Sequence, residues 1–219
     1  MPMKQVQLNL NDKNQIKKIA EIAAEVLENK GVIVYPTDTL YGLGANALDE
    51  DAVLKVYKIK KRDRNKPLPI ITKDLKMVKK IACVDSKVER ILNKIWPGAI
   101  TIVLRKKDVT PYVLTGNGET VAVRIPDNEF ISALINKIDF PITATSANIS
   151  REPNLLDPSK IISKFKSGEL KPDLFVDAGK VKDLKPSTIV DLTTGIPKIL
   201  RAGIVGMSEM KEFFEKFQM

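Results

Sequence analysis

Stretches with helical spacing of apolar residues alternate with short apolar runs along nearly the whole chain, and that alternation confines it to the α/β classes. Ile16, Ile19, Ala20, Ala23, Val26 and Leu27 share one helical face within 14–27, and Gly31 marks the stop. Val32, Ile33, Val34 and Tyr35 then read as a buried strand, broken by Pro36. Further helices are predicted over 49–59, 85–95, 130–137 and 158–165 and from Ser208 onward, and further strands over 68–71, 100–104, 120–125, 141–145, 174–177 and 187–191. Several connections are too short for a parallel crossover, which predicts a mixed sheet with helices on its faces. Gly42 and Gly44 predict a tight turn or a close backbone approach, without the spacing of a dinucleotide fingerprint. No repeat, low-complexity tract or linker divides the 219 residues, so a single domain over 1–219 is expected.

What the chain lacks narrows its chemistry. It has no histidine, which removes Ser-His-Asp and Cys-His nucleophiles and histidine metal sites from one chain of this sequence. Its single cysteine, Cys83, permits neither an internal disulfide nor a Cys-rich zinc site, and reads as a small buried core residue. What remains is chemistry driven by cations, positioning and magnesium, whose hard oxygen ligands need no histidine. A net charge of +9 favours anionic partners such as nucleotides or RNA, although any one basic patch also reads as solvated surface. No apolar run approaches the roughly 20 residues that span a bilayer, and 1–5 carry no apolar signal region. A soluble, cytoplasmic protein without membrane contact is expected.

Three separated segments offer what a nucleotide triphosphate needs. Lys60, Arg62, Arg64 and Lys66 concentrate cations just before Pro67; they read as an anion site or as a solvated helix end favoured by the helix dipole. Ser146 and Asn148 follow an apolar strand, where α/β sheets present their sites, and read equally as turn formers. Pro186, Ser187 and Thr188, with Leu200, Arg201, Ala202 and Gly203, add hydroxyls, a cation and small residues that let backbone approach. Arg124 sits in the apolar strand 120–125, where alternation puts Thr120, Ala122 and Arg124 on one face. A substrate carboxylate or a structural salt bridge would serve it as partner.

The set Tyr35-Pro36-Thr37-Asp38-Thr39-Leu40-Tyr41-Gly42-Leu43, Lys60-Lys61-Arg62, Trp96-Pro97-Gly98, Val121-Ala122-Val123-Arg124-Ile125-Pro126, Thr145-Ser146-Ala147-Asn148, Pro186-Ser187-Thr188 and Leu200-Arg201-Ala202-Gly203 resembles the YrdC-like threonylcarbamoyl-AMP synthase family, in the family's order. The resemblance implies a three-layer α/β fold in which a twisted mixed sheet encloses a basic cavity. It implies condensation of L-threonine, bicarbonate and ATP, with magnesium, into threonylcarbamoyl-adenylate and pyrophosphate. A separate tRNA threonylcarbamoyl transferase would consume the product, and contact with tRNA itself is possible. Carried over by motif, Lys60 and Arg62 would clamp the reacting phosphates with Lys66 assisting. Thr120, Ser146, Asn148 and Arg201 would bind ATP, and Thr37, Arg124, the Ala144 backbone and Ser187 would hold threonine.

The chain departs from the family pattern at Asp63, where proline often follows the Lys-x-Arg triplet, and at Arg151, where glycine is common. It also lacks the histidine that some longer relatives carry near Ile71, and it reads as the short, single-domain form. Related domains in hydrogenase-maturation proteins make carbamoyl-adenylate, but in chains with acylphosphatase and zinc-finger regions. The alternatives are a paralogue with the same fold and no threonylcarbamoyl synthesis, or an RNA-binding protein, against which stands an aromatic content of only 5%.

Overall fold

The computed structural model describes residues 3–180, 185–194 and 196–216. Their strands form two mixed sheets. β1 (Lys4–Gln7), β2 (Ile33–Tyr35), β3 (Gly42–Gly44), β8 (Thr145–Ser146) and β9 (Leu174–Asp177) make the first, in the order β1-β9-β2-β3-β8. β4 (Ile70–Ile71), β5 (Ile100–Arg105), β6 (Thr120–Arg124), β7 (Ile142–Thr143), β10 (Thr188–Asp191) and β11 (Lys198–Arg201) make the second, in the order β11-β10-β5-β6-β4-β7. The helices are α1 (Lys13–Glu28), α2 (Glu50–Lys60), α3 (Leu75–Ile81), α4 (Ser86–Ile95), α5 (Glu129–Ile135), α6 (Pro158–Lys166) and α7 (Met207–Lys216). The expected mixed α/β architecture is present, with its strands divided between two hydrogen-bonded sheets.

The apolar run at β2 is continuous because both faces of the first sheet are covered. Ile33 and Tyr35 join Leu174 and Val176 in one core cluster, against Ile19, Ala23 and Leu27 of α1 and Phe130 and Leu134 of α5. Val32 and Val34 turn the other way, into a cluster with Val53 and Val56 of α2, Ile91 and Leu92 of α4 and the inner face of the second sheet. Helix starts are set locally: Asp12, Asp49, Asp74, Asp85, Asn128 and Asp157 each accept backbone N–H bonds at the first turn of α1 to α6.

Four elements differ from the sequence reading. α3 is short, β1 is a polar edge strand, β3 is built on glycines and β11 lies exposed at the end of its sheet, so none shows the periodicity that a longer buried element would. Gly42 and Gly44 make a close approach, not a turn: a Cβ would lie 2.8 Å and 2.7 Å from the Tyr35 ring. The segment read as one strand over 141–145 breaks at Ala144 into β7 and β8, one in each sheet. Cys83 is exposed, correcting its assignment to the core. The inward position in that short stretch belongs to Ala82, which bridges Lys106, and alternation turns its neighbour outward.

Arg151, exposed, adopts a left-handed backbone with φ of 71°. An L side chain there costs about 1–2 kcal/mol, and glycine returns about 0.5–1 kcal/mol of that as unfolded-state entropy. Arg151→Gly is therefore expected to stabilise the fold by about 0.5–1 kcal/mol in urea unfolding; a loss of stability would mean that the arginine side chain makes a contact worth more than its backbone strain.

Candidate active site

The second sheet has an apolar face and a cavity face. Ile102 and Leu104 of β5, Val121 and Val123 of β6 and Val190 of β10 enter the core. Thr101, Val103, Ala122, Arg124 and Ile189, one residue out of phase, line a cavity of about 570 Å³. Register then draws a row across this floor. Arg201 pairs with Ile189, and Ile189 with Thr101. The pairing of Ile102 with Val123 brings Thr101 and Arg124 side by side, and Arg124 pairs with Ile71. Arg201 and Arg124 thus lie in one cross-strand row, three strand spacings or about 14 Å apart.

The other walls come from the first sheet and from loops. Leu40, Tyr41 and Gly42 contribute from the approach to β3, Thr145 and Ser146 from β8, and Arg62, Lys66 and Pro67 from the loop after α2. Ala144 lines the cavity at the point where the chain passes between sheets, its N–H given to Pro69 O at 2.8 Å.

The cations are held in two ways. Arg124, only 6% exposed, donates Nε to Gly98 O at 2.8 Å, Nη1 to Thr39 Oγ1 at 3.2 Å and Nη2 to Asp38 Oδ2 at 2.5 Å. Burial pushes the Asp38 carboxyl up and the Arg124 guanidinium down, and the pair's mutual attraction opposes both shifts. Arg62 donates to Lys66 O and Pro67 O at 3.2 and 3.0 Å. Arg201 donates to Ser187 O through Nη2 at 2.8 Å and Nε at 3.2 Å, while Ser187 Oγ and Thr101 Oγ1 are 2.8 Å apart. Among the described residues no carboxylate pairs with Arg62, Lys66 or Arg201. Carbonyls orient the two guanidiniums without neutralising them, so positive charge faces the cavity.

Thr37, Arg62, Lys66, Arg124, Ala144, Ser146, Ser187 and Arg201 all line this cavity. Thr37 also ties its own loop: its Oγ1 accepts from the Thr39 and Leu40 amides at 3.0 and 3.1 Å and donates to Leu40 O at 2.6 Å. Three expected residues are not among the lining. Thr120 is at the far end of β6, opposite Arg105. Asn148 is buried, its Oδ1 accepting from Ser146 Oγ at 2.7 Å and its Nδ2 donating to Glu152 O at 2.6 Å. Lys60, the last residue of α2, is 1% exposed and gives its ammonium to the Ser146 and Asn148 carbonyls and to Asn148 Oδ1. The sequence reading missed Thr101, Thr39, Asp38 and Asn154. Thr101 carried a signal as a polar residue inside an apolar strand, Thr39 and Asp38 flanked a named candidate, and Asn154 carried none.

Residues 25–203 match the model of the Sua5/YciO/YrdC family, described as "Telomere recombination". The chain belongs to this family. Within the Sua5/YciO/YrdC family it is 36% identical over 201 residues to a putative threonylcarbamoyl-AMP synthase of Methanocaldococcus jannaschii, a match covering 92% of this chain and 93% of that one. It is 35% identical over 206 residues to a threonylcarbamoyl-AMP synthase of Pyrococcus abyssi, covering 94% of this chain and 59% of the relative. The structure of P. abyssi Sua5 complexed with L-threonine matches with a TM-score of 0.85 at 33% identity, over 97% of this chain and 60% of that one. The chain thus spans about three-fifths of the length of the Pyrococcus protein.

Asp38→Ala leaves Arg124 buried without its counter-ion. The expected loss is about 3 kcal/mol, the low end for a broken buried pair because the Asp38 side chain is one-fifth exposed. Asp51→Ala, which removes an exposed partner of Lys30, should change stability by less than about 1 kcal/mol. Urea unfolding of the two variants tests this, and equal effects would mean that Asp38 is not needed to hold Arg124.

Proposed function

We propose that this protein is a threonylcarbamoyl-AMP synthase, a nucleotidyltransferase that condenses L-threonine, bicarbonate and ATP. The observation that carries this reading is the row across the second sheet, with Arg124 and Arg201, each with its guanidinium fixed, three strands or about 14 Å apart along the backbone. A product with an amino-acid carboxylate at one end and a nucleotide phosphate toward the other suits that spacing.

Threonine would place its carboxylate on Arg124, with Thr37, the Ala144 backbone and Ser187 completing its seat. Its amine, losing a proton, joins the carbon of bicarbonate, and water leaves to give a carbamate. A carbamate oxygen then bonds to the α-phosphorus of ATP as the bond to pyrophosphate breaks. Negative charge grows on the departing pyrophosphate, where Arg62, Lys66 and Arg201 would stabilise it; Ser146 would add a hydroxyl contact to ATP. Magnesium enters with ATP as its phosphate complex. Among the described residues no group of three acidic or cysteine side chains could cage a metal, and magnesium commonly sits on substrate phosphates with few protein ligands. The product would pass to a separate transferase that modifies tRNA in the cytoplasm, and the +9 charge suits a tRNA-bound hand-over.

Pyrophosphate release measured with ATP and magnesium tests the reading. Threonine and bicarbonate together are expected to drive it, and either alone to give background, because the carbamate needs both; release in decarbonated buffer would sink the proposal. Arg124→Lys should raise the threonine KM by about tenfold or more with little change in the ATP KM, since an ammonium cannot reproduce the planar fork. A rise confined to the ATP KM would move Arg124 into the nucleotide site.

A further inference from the structure

The Lys-x-Arg triplet divides its two cations. Arg62 lines the cavity, whereas the Lys60 ammonium is turned beneath β8. An ammonium has three N–H donors. Those of Lys60 meet Ser146 O at 2.5 Å, Asn148 O at 2.8 Å and Asn148 Oδ1 at 3.0 Å, so none is left for a ligand. The backbone adds a fourth tie, from Ser150 N to Lys60 O at 2.8 Å. Asn148 Oδ1 also accepts the hydroxyl of Ser146, and Ser146 does line the cavity. An unbroken chain of bonds therefore runs from the buried ammonium through Asn148 to a hydroxyl at the site.

We propose that Lys60 is a positioning residue: its ammonium folds 146–148 into the corner that presents Ser146, and its effect on the nucleotide passes through Ser146, not through contact with phosphate. The inference rests on the reading of this cavity as an ATP site. Charge suits the role. Burial and the neighbouring Arg62 pull the Lys60 pKa down to about 7, but a neutral amine has only two N–H donors and could not bond all three oxygens. An uncharged residue of similar length, such as methionine, would serve none of the three and would leave Asn148 O without its donor.

The test is a double-mutant cycle on ATP affinity, read by calorimetry without turnover. Lys60→Met alone should weaken ATP by about tenfold, and in a Ser146→Ala background by less than about threefold, because the route through Ser146 is already cut. The same tenfold loss in both backgrounds would establish a direct phosphate contact and overturn the proposal, as would no loss in either. If Lys60→Met does not fold, 15N-lysine NMR of the unmutated protein decides. The Lys60 ammonium should be protected from water exchange and keep its signal at saturating ATP; a shifted or unprotected signal would mean that it leaves its three oxygens for the ligand. A wild-type protein that binds no ATP removes both proposals. Binding without pyrophosphate release removes the synthase reading and leaves the Lys60 test intact.

Discussion

The chain steps directly from one sheet into the other at Ala144, and the cavity depends on that crossing. Ile142 and Thr143 pair with β4, while Thr145 and Ser146 pair with β3. Every polar group of Thr143 serves the junction. Its Oγ1 donates to Leu43 O at 2.9 Å and accepts from Ala45 N at 3.0 Å, its N–H reaches Ala45 O at 2.9 Å, and its carbonyl takes the Tyr35 hydroxyl at 3.0 Å. Buried polar groups must be paired, so the chain can pass between sheets here only with this set of partners. Beyond Ala144 the sheets part, and the space between them is lined on one side by Ser146 and on the other by the row from Arg201 to Ile71.

Charge is distributed so that this space stays positive. Most ion pairs among the described residues lie on the surface, between side chains at least a third exposed on one or both sides, and such pairs are worth little to stability. The buried exception is Arg124 with Asp38, where the carboxylate fixes the guanidinium. Arg62 and Arg201 are oriented by neutral carbonyls. A fixed but unneutralised guanidinium interacts strongly with an incoming anion and needs little reorganisation on binding. Anion binding without histidine then becomes a matter of placement.

Much of the fold could be read from local pattern. Helical spacing of apolar residues located most helices, because an amphipathic face is a property of neighbouring residues. Alternation in β6 placed Ala122 and Arg124 on one face for the same reason, and both line the cavity. The elements that escaped, β1, β3 and β11, are short, polar or glycine-rich strands that exist because a partner strand supplies hydrogen bonds.

Residue types alone removed histidine-based catalysis and left cations, hydroxyls and backbone as the groups that could carry chemistry, since the chain has no histidine and one cysteine. They could not determine which cations face the cavity. Lys60 and Arg62 are two residues apart at a helix end, yet one is buried under 146–148 and the other lines the cavity. That choice, like the alignment of Arg201 with Arg124 and the break at Ala144, follows from strand register and from where a remote segment crosses α2. Register is fixed by long-range pairing, in which each partner's position depends on the rest of the folded chain, and no local pattern of residues encodes it.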